Sequence, residues 1–334
     1  MAYSSTTFKK LYPSPTLDHD LLFVGKCYIP EKVNPDGVTL LFFHAAGSHK
    51  ETFEPIIGDL FALKSPDDSP IVREAWSFDM QSHGEAGAFN NKRLGNTTLS
   101  VTEWTYGFKA FMSDSDVLRG HKLVAVGHSL GASMIILATM EGPLPPVDLK
   151  SLIIVEPALV TQEAWDQNKE MCMGALALTS AVVMKRRDVW NSREEAKKYF
   201  DARPPWKGWD PRVVVLYTQH ALTEIEENGV KTEKVTLACA KIQENAAFCE
   251  SQNHLVAVAW LLTLAATIPV HVILGEDLDV VPEFCHQSVI GIKDIKSIQT
   301  VSNAGHFVVQ QNPKGLGLAI AQVVSGTLPP RPAL

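Results

Sequence analysis

No C-x-x-C pair occurs in this chain. Its five cysteines, Cys27, Cys172, Cys239, Cys249 and Cys285, are odd in number and far apart, which excludes a thiolate zinc site and a complete disulfide framework. Reduced, intracellular thiols are the expectation. Positive charge is also scarce: 30 Lys and Arg stand against 37 Asp and Glu, for a formal net charge of -7. The cations are scattered, so nothing offers the basic face that a nucleic-acid partner requires. The 20 prolines and 21 glycines form no low-complexity tract, and no internal repeat is visible. Only Leu255 to Leu274 is a long apolar run, and Pro269 divides it into a helix-length piece and a strand-like piece, so no stable membrane insertion is predicted. The stretch Met1 to Lys10 lacks the apolar centre of a secretory signal, so the expected compartment is the cytosol.

What is present is an alternation. Strand-like apolar runs at Leu22 to Tyr28, Val38 to His44, Glu74 to Met80, Leu123 to Gly127, Leu149 to Val155, Val270 to Gly275 and Ile295 to Val301 are separated by helical stretches. Such alternation predicts an α/β architecture, a mostly parallel sheet with helices on both faces. Residues 158–265 interrupt the series with helical patterns and no clear alternating strand, so a helical cap is predicted there, inserted into a core of 1–157 and 266–334. Inside it, Met171 to Met184 is apolar almost all round and is either buried or turned toward an apolar ligand. Lys185-Arg186-Arg187 follows. A basic helix end complementing the helix dipole explains it more simply than a phosphate site does.

The chemistry is concentrated in Gly127-His128-Ser129-Leu130-Gly131, a G-x-S-x-G run between a buried strand and a helix. That context forms a tight turn that raises a serine above the sheet, and bulk two residues to either side would collide. A serine hydroxyl is a weak nucleophile until a base takes its proton, and the base needs an acid to orient it. Five histidines follow Ser129. His220 and His254 fall in the predicted cap, His271 in a strand and His286 on a predicted helix. His306 remains, in a glycine-containing loop after the last strand, and is the predicted base. For the acid, Glu156 closes the strand after the nucleophile's and is the first choice. Asp277 and Asp279, at the end of the strand following the cap, are the alternatives. The backbone N–H of Leu130, next after the nucleophile, is the predicted first donor to an oxyanion.

These features together resemble the α/β-hydrolase superfamily over nearly the whole chain. Phe78-Asp-Met-Gln-Ser-His-Gly84 is similar to its D-x-x-x-H-G segment, and Gly305-His306-Phe307 to its terminal G-H-F. His44-Ala45-Ala46-Gly47 resembles the family's H-G-x-x turn, which implies Ala46 as the second oxyanion donor, with Ala45 where a glycine is usual. His44 is expected to tie this turn down. Where the family pattern G-x-x-D-x-x-x-P places its aspartate, this chain has Leu278. Val155-Glu156-Pro157, Arg187 to Ala196, Trp209-Asp-Pro-Arg212 and Val235 to Cys239 followed by Glu244 resemble a narrower group. It comprises fungal hydrolases of the peroxisomal lipase, mycophenolic-acid-pathway acyl-CoA hydrolase and toxin-biosynthesis type, whose acid position corresponds to Glu156. The resemblance implies a serine hydrolase that uses no cofactor and no metal, and that cleaves a small apolar ester, lactone or acyl thioester in lipid or secondary metabolism. Pro332-Ala333-Leu334 is a poor match to the peroxisomal tripeptide that the group often carries. Two other readings of the scaffold are a ligand receptor that keeps the pocket and a carbon–carbon bond hydrolase using the same residues. Epoxide hydrolysis and dehalogenation call for a carboxylate where Ser129 stands.

Overall fold

Leu40-Leu-Phe-Phe43 is buried on every side chain, and successive residues join opposite cores: Leu41 and Phe43 one, Leu40 and Phe42 the other. A strand apolar on both faces must lie inside a sheet covered on both sides. The computed structural model, which describes residues 3–64, 68–114, 116–142 and 145–327, has that arrangement. Pro332-Ala333-Leu334, with its targeting reading, lies outside the described residues.

The strands are β1 (Tyr3–Pro13), β2 (Asp20–Pro30), β3 (Val38–Phe43), β4 (Val72–Asp79), β5 (Lys122–His128), β6 (Ser151–Val155), β7 (Val189–Trp190), β8 (Leu222–Glu227), β9 (Val230–Leu237), β10 (Val270–Gly275) and β11 (Ile295–Val301). The main sheet has eight strands in the order β1-β2-β4-β3-β5-β6-β10-β11. From β4 to β11 every pairing is parallel, whereas β2 runs antiparallel to β4 and β1 antiparallel to β2. One face carries the helices Val101–Asp114, Leu130–Ala138 and Ser251–Ala265, the other Glu54–Leu60 and Pro313–Ser325. Register brings Phe43 beside Gly127, His128 beside Val155, and Ile273 beside Val155. The loops after β3, β5, β6, β10 and β11 therefore leave the sheet along one edge, at the carboxyl ends where such sheets hold their ligands.

The inserted region departs from expectation in three ways. First, it is not helical throughout, because β7, β9 and β8 form a three-stranded antiparallel sheet. Its hairpin turns on Asn228-Gly229, both at positive φ (54° and 78°), the backbone that an Asn-Gly turn supplies. That sheet closes its own aromatic core with Trp190, Phe200, Trp206, Trp209 and Tyr217. Second, Ser251–Ala265, expected in the cap, packs through Ala257, Val258, Leu261 and Leu264 into the core over the main sheet. Its packing groups it with the helices over the main sheet. Third, the helix Lys169–Lys185 is neither buried all round nor wholly turned to a cavity. Cys172, Ala175, Leu176 and Thr179 line the cavity above Ser129, while Met171, Leu178 and Val182 are 58%, 68% and 61% exposed. No helix among the described residues is long and apolar enough to cross a membrane.

Candidate active site

The turn between β5 and the helix Leu130–Ala138 holds Ser129 at φ 53°, ψ -116°, a left-handed strained backbone that neighbouring packing must enforce. Two glycines make room for it. A Cβ on Gly127 would meet the Cα of Ala132 at 2.7 Å, and one on Gly131 would clash with the carbonyl oxygen of Phe43. Neither contact can be relieved by a side-chain rotation, because both fall on backbone. We expect Gly131→Ala to push the helix off β3, at a cost of about 1–3 kcal/mol, measured as a lowered denaturation midpoint with activity lost alongside.

Two other loops converge on Ser129. The Oγ lies 3.0 Å from His306 Nε2, and His306 Nδ1 lies 3.3 Å from Glu156 Oε2. Glu156, at φ 44° where β6 ends, is fixed by its own backbone and side chain: its N–H donates to Ile273 O (2.9 Å) and its Oε1 accepts from Gly275 N–H (2.6 Å). Burial alone would raise this carboxyl, but the imidazoles of His286 and His306 more than offset it and hold it down at about 2. His306 is gripped through its backbone as well. Its N–H donates to Asp279 Oδ1 at 2.8 Å, and its carbonyl accepts from His128 Nε2 at 2.8 Å. Burial drives His128 down to about 3, so it acts as a neutral donor.

The structure thus brings Ser129, His306 and Glu156 into one hydrogen-bonded line and leaves the alternative acids outside it. Asp277 is exposed, and its backbone N–H donates to Ala304 O. Asp279 holds the backbone of the histidine loop, packed on Gly305, and does not reach the ring. Asp279→Asn keeps an acceptor oxygen for the His306 amide and should leave kcat/KM within about threefold. Asp279→Ala removes it and should lower kcat/KM up to about tenfold, the worth of one hydrogen bond, in steady-state kinetics.

Leu130 and Ala46 both border the same cavity as Ser129 and His306. The loop that carries Ala46 is pinned from three sides. His44, pushed down to about 4 by burial, donates from Nδ1 to Ala45 O and accepts the Met80 amide at Nε2. His83 Nε2 accepts the Gly47 amide at 3.0 Å, and Glu244, paired with Arg186, packs where a Gly47 side chain would stand. Gly47 takes the left-handed backbone (φ 71°) and Ala45 does not, so the alanine sits at position 45 without strain. Of the basic run, Arg186 is spent on Glu244 (3.1 and 2.5 Å), and Arg187 donates to Glu195 (2.7 Å) and to Val189 O (2.8 Å).

Sequence reasoning passed over His128, His286 and the Arg186–Glu244 pair. His128 lay inside the elbow itself, where its carbonyl contact could not be foreseen. His286 sits on a helix, as expected, within Glu283–Ile290, yet its Nε2 is 3.3 Å from Glu156 Oε2. Above Ser129 is an apolar cavity of about 140 Å³, walled by Leu159, Val160, Trp165, Leu176, Phe248 and Val281 among others.

A profile of the alpha/beta hydrolase family matches residues 40–316. Among curated proteins, the type I acyl-CoA thioesterase mpaH of Penicillium brevicompactum is 27% identical over 221 residues, which are 64% of this chain and 48% of that protein. Its namesake in Penicillium roqueforti (strain FM164) is 26% identical over 208 residues, 61% of this chain and 45% of that protein. The matched part of the chain thus spans about half the length of these relatives. Among solved structures, the peroxisomal alpha-beta-hydrolase Lpx1 of Saccharomyces cerevisiae superposes with a TM-score of 0.71 at 16% identity, covering 100% of this chain and 93% of its own. The thioesterase domain from the curacin biosynthetic pathway gives 0.57 at 15%, covering 96% and 99%. At those identities the structural likeness speaks to the fold.

Proposed function

This chain belongs to the alpha/beta hydrolase family, and from that premise we propose that it cleaves a small apolar acyl ester or acyl thioester through a covalent acyl-Ser129 intermediate. The observation that carries the reading is the line from Ser129 Oγ through His306 to Glu156 at the floor of an apolar cavity. His306 Nε2 takes the hydroxyl proton as Oγ attacks the carbonyl carbon. The backbone N–H groups of Leu130 and Ala46 receive the developing oxyanion. Glu156 stabilises the imidazolium, which then gives its proton to the departing alcohol or thiol. Water, activated by the same imidazole, releases the acid and restores Ser129.

Residues 158–250 act as a lid over a core formed by the rest of the chain, with the inner face of Lys169–Lys185 as its roof. The cavity, about 140 Å³, compares with the ~150 Å³ of an engineered apolar cavity that takes up benzene. The thioester branch is favoured by the curated relatives, which are named as acyl-CoA thioesterases. A fluorophosphonate probe tests the nucleophile: the expected result is one mass increment on the peptide carrying Ser129. Folded protein that stays unlabelled and does not turn over an activated ester would overturn the reading in favour of a binding protein. Parallel assays on p-nitrophenyl esters and acyl-CoA thioesters of matched chain length then separate ester from thioester hydrolysis.

A further inference from the structure

Glu156 has two imidazoles against one oxygen. His306 Nδ1 and His286 Nε2 each lie 3.3 Å from Oε2, while Oε1 is taken by the Gly275 amide. The side chains of His286 and Glu156 are only 5% and 1% exposed. His286 Nε2 is off the hydrogen-bonding direction in this arrangement, and no other group among the described residues partners it. A buried ring nitrogen left unpaired is costly, and its nearest acceptor is the carboxylate whose charge must be steady when an imidazolium forms at His306. The arrangement leaves one small rotation of the ring between an orphaned donor and a hydrogen bond to Oε2.

We propose that His286 is a positioning residue, donating its Nε2–H to Glu156 Oε2 so that the carboxylate stays ionised and aimed at His306 Nδ1 as the reaction proceeds. One anchor at Oε1 leaves the acid free to tilt, whereas a second donor at Oε2 fixes its plane. The depressed ionisation of Glu156, to which both rings contribute after burial is overcome, agrees with this geometry. The inference rests on the Ser129–His306–Glu156 reading given above.

The test compares His286→Phe, which fills the ring volume without a donor, with His286→Gln, which keeps a side-chain N–H. Kinetics on an activated ester should show kcat reduced about 10–100-fold in His286→Phe, the usual loss for such supporting partners, with KM within about twofold. His286→Gln should recover kcat to within about threefold of wild type. In a Glu156→Gln background, His286→Phe should cost less than about twofold further, because its route of action is already cut. Equal losses in the Phe and Gln variants, an undiminished kcat in His286→Phe, or the same penalty in both backgrounds would each overturn the proposal. Should His286→Phe not fold, His286→Leu takes its place in the same comparisons. An active Glu156→Gln enzyme would instead remove the underlying acid assignment, and that outcome is read independently of His286.

Discussion

Replacing Ser129 by alanine is expected to lower kcat by about 10⁵–10⁶-fold and to abolish labelling by a fluorophosphonate. The size of the loss follows from the site's economy. Without Oγ there is no atom for the carbonyl carbon to bond, and the His306 Nε2 that accepted the hydroxyl at 3.0 Å has no proton to take. What survives is binding in the cavity and the proposed oxyanion amides of Leu130 and Ala46, worth a small residue of catalysis over water. The fold should survive nearly intact, because the strain at φ 53° falls on the backbone and alanine bears it as serine does. A thermal midpoint within a few degrees of wild type, alongside lost turnover, separates a missing nucleophile from a broken elbow. Turnover retained within about tenfold would mean that acyl transfer does not pass through Ser129.

How much of this was legible differs from element to element, for physical reasons. The interior strands β3, β5, β6 and β10 are apolar runs because both faces of the sheet are covered, and such runs stand out in any sequence. β1 does not stand out: it is an edge strand, exposed along most of its length, so Tyr3 to Pro13 carries no buried stripe. The β8–β9 hairpin is masked by Glu224, Glu226, Glu227 and Lys231, since a sheet exposed on one side tolerates charge. Its Asn228-Gly229 turn was the available signal. Within the site, Ser129 is local, fixed by glycines two residues away. Glu156 and His306 are legible as strand-end and loop residues, because the parallel register carries the carboxyl ends of β3, β5, β6, β10 and β11 to one edge. Asp279 and His286 are not legible in that way. Asp279 acts on a backbone amide, and His286 reaches Glu156 only because the helix Glu283–Ile290 packs at one particular rotation, which no local pattern encodes.

Glu156→Gln should lower kcat by about 10⁴-fold, the order seen when a triad acid becomes an amide, while Asp277→Asn leaves activity within about twofold. The geometry gives the reason. Gly275 N–H donates to Oε1 at 2.6 Å, so a glutamine must put its carbonyl there and turn its NH₂ toward His306 Nδ1. An NH₂ facing Nδ1 forces the ring into the tautomer that is unprotonated at Nδ1 and protonated at Nε2. Nε2 then donates and can no longer accept the proton of Ser129. In wild type, Glu156 is held at about 2 by the two imidazoles against its burial, so it stays ionised throughout the range where imidazole titrates. Its own protonation therefore contributes no limb to kcat/KM in that range. Activity near wild type in Glu156→Gln would show that Glu156 neither charges nor orients His306, and would return the choice to Asp279.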